Sequence, residues 1–79
     1  MDEKFSAILS VALLPQIISI LAEKEGKSEI EATEIFYRSE TYKYLSEEET
    51  KVWHYSPLTI YRIWKSEEQT GSPVFPEGI

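Results

Sequence analysis

His54 is the chain's single imidazole, set in the aromatic run Trp53-His54-Tyr55. Acid–base or nucleophilic catalysis by histidine would rest on it alone, and no serine–histidine–carboxylate order can be assigned from one histidine in so short a chain. A metal site would need a second ligand one helical turn away. Three and four residues back stand Lys51 and Thr50 rather than carboxylates. Glu47-Glu48-Glu49 groups three carboxylates, but consecutive helical residues point apart and cannot share a substrate; together they suit a solvated first turn. Gly26, Gly71 and Gly78 stand alone, so no glycine-rich loop is available to cradle a phosphate. The expectation is therefore no catalytic residue, no cofactor and no metal, with His54 a satisfied or surface side chain.

The elements around these residues read as helices. Asp2 is the expected N-cap of a first helix over 3–25, Gly26 offers its left-handed stop, and Pro15 predicts a kink or break near Leu13 to Pro15. Ser28-Glu29-Ile30-Glu31 matches a capping box opening a second helix over 29–39, with Ala32, Ile35, Phe36 and Ser39 on one stripe. Glu40 to Leu45 reads as a short helical turn. Ser46-Glu47-Glu48-Glu49 reads as a second capping box that opens a helix over 47–55. Ser56-Pro57 then begins a last helix over 57–70, ended by Gly71. No stretch alternates apolar and polar residues long enough for a sheet. The predicted fold class is all-α: a compact bundle of four main helices, the first one kinked, in a single domain over 1–71 with an irregular tail over 72–79.

With 79 residues the chain can bury about 60% of its unfolded surface in one core, and it has no cysteine to staple that core. Lack of cysteine favours a reducing compartment, the cytoplasm. A net charge of −6 repels phosphate backbones and anionic lipid, which argues against nucleic acid and membranes as partners. Phe5 to Leu21 carries no charge, yet it is interrupted by Pro15, Gln16 and three serines and follows a net acidic start, so a buried core helix is expected rather than a membrane span or a signal peptide. The corner at Ser56-Pro57 has the outline of a helix-turn-helix, with Lys51, Arg62 and Lys65 near it. Leu58 to Trp64 is mostly apolar and aromatic, however, unlike a recognition helix.

Two features point to a protein partner. Phe36, Tyr37, Tyr42, Tyr44, Trp53, Tyr55, Tyr61 and Trp64 put eight large rings into a small domain, so two or three are expected at the rim of a contact surface while Trp53 is expected in the core. The apolar residues of the first helix surround its axis, which predicts association with a second copy in an isologous homodimer or with a hetero-partner. Leu9, Leu13, Ile17, Ile20, Tyr37, Tyr44 and Tyr55 are the expected interaction residues.

The stretch Glu31 to Gly71, with Ala32-Thr33-Glu34-Ile35-Phe36-Tyr37, Tyr42 and Tyr44-Leu45, Trp53-His54 and Ser56-Pro57, and Thr70-Gly71, resembles a group of small bacterial helical proteins of unknown function. More remotely it is similar to short helical proteins encoded beside toxin genes. That resemblance implies an antitoxin-like or accessory binding role, without residues that carry over. The leading expectation is a non-enzymatic protein–protein interaction module or adaptor subunit, the alternative a helical nucleic-acid-binding regulator, and an enzyme third.

Overall fold

In the computed structural model, which describes residues 3–76, helix boundaries follow capping chemistry. Asp2, expected as N-cap, and the last three residues of the tail lie outside the described residues. The first helical run spans Glu3–Glu25 and has three parts: α1 (Glu3–Ala7), π turns over Ile8–Leu13, and α2 (Leu14–Glu25). It is followed by α3 (Glu29–Tyr37), α4 (Glu40–Leu45), two 3₁₀ turns at Glu48–Thr50 and Val52–His54, and α5 (Pro57–Thr70). The fold is all-α, with no strand among the described residues.

The π turns answer the problem that Pro15 creates. A proline inside a helix has no N–H for the carbonyl four residues back, and its ring crowds that carbonyl. Here the turns widen, so the Leu14 N–H donates to the Leu9 carbonyl five residues back, and the Gln16 side-chain Nε2 donates to the Ala12 carbonyl at 2.7 Å. Pro15 thus falls in the first turn of α2, where a missing donor is tolerated. The break expected at Leu13 to Pro15 therefore takes the form of widened turns just before the proline. The extra residue also changes the phase of the helix: Phe5 and Leu9 face the core before it, and Leu14, Ile17, Ile18 and Leu21 after it.

Gly26 closes α2 at φ 67°, a backbone region that glycine enters without a Cβ penalty. The Ser28–Glu31 capping box forms as expected, each side chain accepting from the other residue's backbone N–H at 3.1 Å. Beyond it the boundaries differ from the sequence reading. The second helix stops at Tyr37 instead of 39, because Ser39 leaves the helical stripe and caps α4: its hydroxyl donates to the Phe36 carbonyl at 2.6 Å and accepts from the Tyr42 N–H at 3.0 Å.

The helix expected over 47–55 does not form. Ser46 closes α4, donating to the Lys43 carbonyl, so it cannot serve as the predicted cap. Lys51 then takes a left-handed φ of 60°, which splits the segment into its two 3₁₀ turns. Thr50 ties back to the Glu47 carbonyl at 2.8 Å, and the Trp53 indole donates to the Glu48 carbonyl at 2.9 Å. Trp53 is half-buried rather than fully enclosed, and its ring meets Phe5 edge-on at 6.0 Å. Ser56 caps α5 with Pro57 in its first turn, as expected.

The core is built on α2, which packs on α3 and on α5, and it encloses Ile17, Leu21, Phe36 and Ile60 together with Leu45 and Val52. The segment after α5 is irregular yet anchored: the Val74 N–H donates to the Ser66 hydroxyl at 2.9 Å and Phe75 meets Tyr44 at 5.3 Å. The total accessible surface, 5040 Å², is close to the ~4,900 Å² expected of a folded monomer of this mass. One copy therefore closes its own core, and any apolar surface left outside is a local excess.

Candidate functional site

The larger part of that excess lies on the N-terminal helix and on α3, with Tyr44, Leu58 and Val74 exposed elsewhere. Val11 is 76% exposed, Ile30 74% and Ile8 43%, while Tyr37 at the end of α3 is 48% exposed. Between the two helices runs an open groove of about 480 Å³, lined by Leu14, Pro15, Ile18, Ile30 and Tyr37, with Ser10, Thr33 and Glu29 supplying its polar atoms. The π turns explain one wall, since they carry Ser10 out to the groove while Leu9 faces inward. The Tyr37 ring is fixed from behind by Tyr42, stacked on it at 4.5 Å, and Tyr42 in turn meets the buried Phe36 edge-on. Burial and the neighbouring Tyr37 raise the pKa of the Tyr42 phenol.

The seven residues expected at an interaction surface are not brought together. Leu9 and Ile17 face the chain's own core, and Leu13 and Ile20 are half-buried against it. Tyr37 lines the groove, Tyr44 is exposed beside Phe75, and Tyr55 is half-buried against the His54 ring at 4.5 Å. The residues that sequence reading missed are Ile8, Val11, Pro15 and Ile30. A uniform 3.6-residue wheel misplaces the first three, because the phase changes within the π turns. Ile30 could have been found from its own pattern: it precedes the Ala32, Ile35 and Phe36 stripe and falls off its face.

Titratable groups meet at two places, both structural in form. At the first, Glu25 at the end of α2 accepts from the Tyr61 hydroxyl at 2.6 Å and pairs with Lys65 at 3.0 Å, locking α2 to α5. Those two hydrogen bonds lower the Glu25 pKa; burial, then the Glu25 carboxylate, push the Tyr61 phenol up to about 12. Lys65, one of the bases considered for nucleic acid, is thereby engaged, while Arg62 stays exposed. At the second, Glu67 of α5 accepts from the first turn of α4. His54 is exposed and turns Nδ1 toward the Lys51 carbonyl, and Glu47, Glu48 and Glu49 are exposed. The buried Trp64 Nε1 has no hydrogen-bond partner among the described residues. Nor do they bring three or more histidine or carboxylate side chains together in a group that could hold a metal ion. The run Glu3–Glu25 is long and apolar enough to cross a membrane by length and composition, a test that a core helix and a signal sequence also pass.

Comparison with family models, with curated proteins and with solved structures finds no match to the chain.

Proposed function

We propose that the chain is a non-enzymatic protein-interaction module, an antitoxin-like or adaptor subunit of the cytoplasm, that contacts its partner through the outer face of the N-terminal helix and the groove beside it. The observation that carries this reading is that four of the seven exposed large apolar side chains among the described residues, Val11, Ile30, Ile8 and Tyr37, lie on the N-terminal helix and α3, on the outside of a domain with its own enclosed core. Apolar surface of this kind, rimmed by polar groups, is what protein interfaces bury. The clusters at Glu25 and Glu67 are consumed in joining helices, which leaves the groove with one carboxylate, Glu29, and no convergent acid–base pair.

The test is photo-crosslinking from position 11 or 30 in the cells that make the protein. Discrete protein adducts are expected, and they should disappear when the other exposed residue is changed, as in Ile30→Asp or Val11→Asp. Nucleic-acid adducts, or a mobility shift of DNA or RNA that weakens steeply with salt, would overturn the reading in favour of a regulator.

A further inference from the structure

The outer face of the N-terminal helix carries Lys4 at one end and Glu23 at the other, flanked by the exposed Glu3 and Lys24, with no charge between. Lys4, Ile8, Val11, Ala12, Pro15, Gln16, Ser19 and Glu23 are all exposed and recur at successive turns, away from Leu9 and Leu14, which face the core. Lys4 supplies a positive charge at one end of this stripe and Glu23 a negative charge at the other. Two such helices packed antiparallel about a two-fold axis bring each Lys4 to the other copy's Glu23. In that register Ile8 falls opposite Ser19, Val11 opposite Gln16 and Ala12 opposite Pro15, so the two largest apolar side chains meet small or slender neighbours. A parallel arrangement would place like charges together at both ends.

We infer that the occupant of this face is a second copy of the chain, paired antiparallel through Ile8, Val11 and Ala12 with Lys4–Glu23 bridges at both ends. This rests on the interaction reading above and names its partner. The stripe is one helix wide, which places the pairing at the small, weak end of protein interfaces. Lys4 also has an interaction within its own chain, so each bridge is partly an exchange and its effect is modest.

The chain has no cysteine, so engineered disulfides report the register directly. The Ile8→Cys/Ser19→Cys variant should oxidise to a covalent dimer. Either single substitution should not, because in the antiparallel pair identical positions lie about 16 Å apart along the axis, beyond disulfide reach. Sedimentation equilibrium of the unmodified chain should show a dimer that Lys4→Glu and Glu23→Lys each weaken roughly two- to thirtyfold, as the loss of two symmetric exposed pairs requires. The double swap Lys4→Glu/Glu23→Lys should restore it. Circular dichroism confirms that each variant is folded.

A monomer at about 0.5 mM overturns the inference. So does ready self-crosslinking of the single cysteine variants, or a double swap that stays weak. If the purified chain is monomeric while position 11 still yields a discrete adduct with a different protein in cells, the self-pairing fails and the interaction reading stands. If neither dimer nor adduct appears, both fail. Binding of a monomer to neutral phospholipid vesicles would assign the stripe to a lipid surface and equally overturn the pairing.

Discussion

Glu67 caps a helix that begins far before it in sequence. Its Oε1 accepts from the Thr41 N–H at 2.9 Å and from the Thr41 hydroxyl at 2.7 Å, and its Oε2 accepts from the Glu40 N–H at 2.9 Å. Three donors at the start of α4 thus depend on one side chain of α5, and Thr41 is fully buried. Replacing Glu67 by alanine should cost about 1–3 kcal/mol of stability. In a domain of this size each kcal/mol lowers the melting temperature by about 4–8 °C, so calorimetry on Glu67→Ala reads the effect directly. Thr41→Val removes the hydroxyl alone and should cost less; an equal loss would mean that the backbone bonds contribute nothing.

Acid should loosen the junction between α2 and α5. The Glu25 pKa is held below its ordinary value of 4.5, first by the Tyr61 hydrogen bond and then by Lys65. A carboxylate with a depressed folded pKa adds stability above its unfolded value, and that stability is lost as pH falls through the folded one. Urea midpoints should therefore drop on acidification below about pH 4.5, and Glu25→Gln should flatten that part of the drop. Glu31, lowered by its capping hydrogen bonds, contributes in the same window.

At the alkaline end Tyr61 has the opposite sign. Its folded pKa of about 12 lies above the ordinary 10, so its contribution is intact below pH 10 and is lost as pH rises toward 12. Phenolate absorbance should show Tyr61 titrating late, together with Tyr42, whose phenol is raised by its own burial and by Tyr37. Glu25→Gln should bring Tyr61 partway down, since burial is the larger cause of the shift; no movement at all would separate Tyr61 from Glu25.

His54 and Trp53 are neighbours with different weight. His54 is exposed, so His54→Ala should change stability by less than about 0.5 kcal/mol and leave self-association unaltered. Trp53 meets Phe5 and donates to the Glu48 carbonyl, tying the 3₁₀ turns to the first helix. Trp53→Ala should cost about 2–4 kcal/mol by urea unfolding. An exchange of these two magnitudes would refute the structural role given to the corner.

The π turns act as a one-residue insertion, and deletion tests this. Removing Ala12 should let the helix run in α register with Leu9 and Leu14 still facing inward, so unfolding stays cooperative within about 1 kcal/mol. Removing the exposed Ser19 from regular α2 would instead turn Leu21 from the buried face on one side of the cut, at a cost of at least about 3 kcal/mol. Equal effects of the two deletions would contradict the phase change.

Much of the fold was legible because its signals are local. Ser28 with Glu31, Ser56 with Pro57, and the glycines at 26 and 71 each act within a few residues, and each marks its boundary as read. Ser46-Glu47-Glu48-Glu49 has the spelling of a capping box and fails, because Ser46 is already used to close α4 and Lys51 turns left-handed. Ser39 reads as part of the α3 stripe because a residue at helical spacing can also be the cap of the next helix. The Glu67 cap was beyond reach, since its partners are 26 and 27 residues away and only the packed fold brings them together. Pro15 announces an interruption without its form, and with the phase lost there, the sequence pattern puts Leu9 and Ile17 on a surface from which they turn inward.

The same contrast between local and distant ties orders the folding reaction in time. The serine caps at 28, 39 and 56 act on their own first turns, so they can bias helices before any two of them meet. The bonds from Glu25 to Tyr61 and Lys65 close loops of 36 and 40 residues and form only when α2 and α5 have docked. Disrupting a cap should therefore slow folding, whereas disrupting the Glu25 junction should chiefly hasten unfolding, making that junction the latch that governs how long the native state survives.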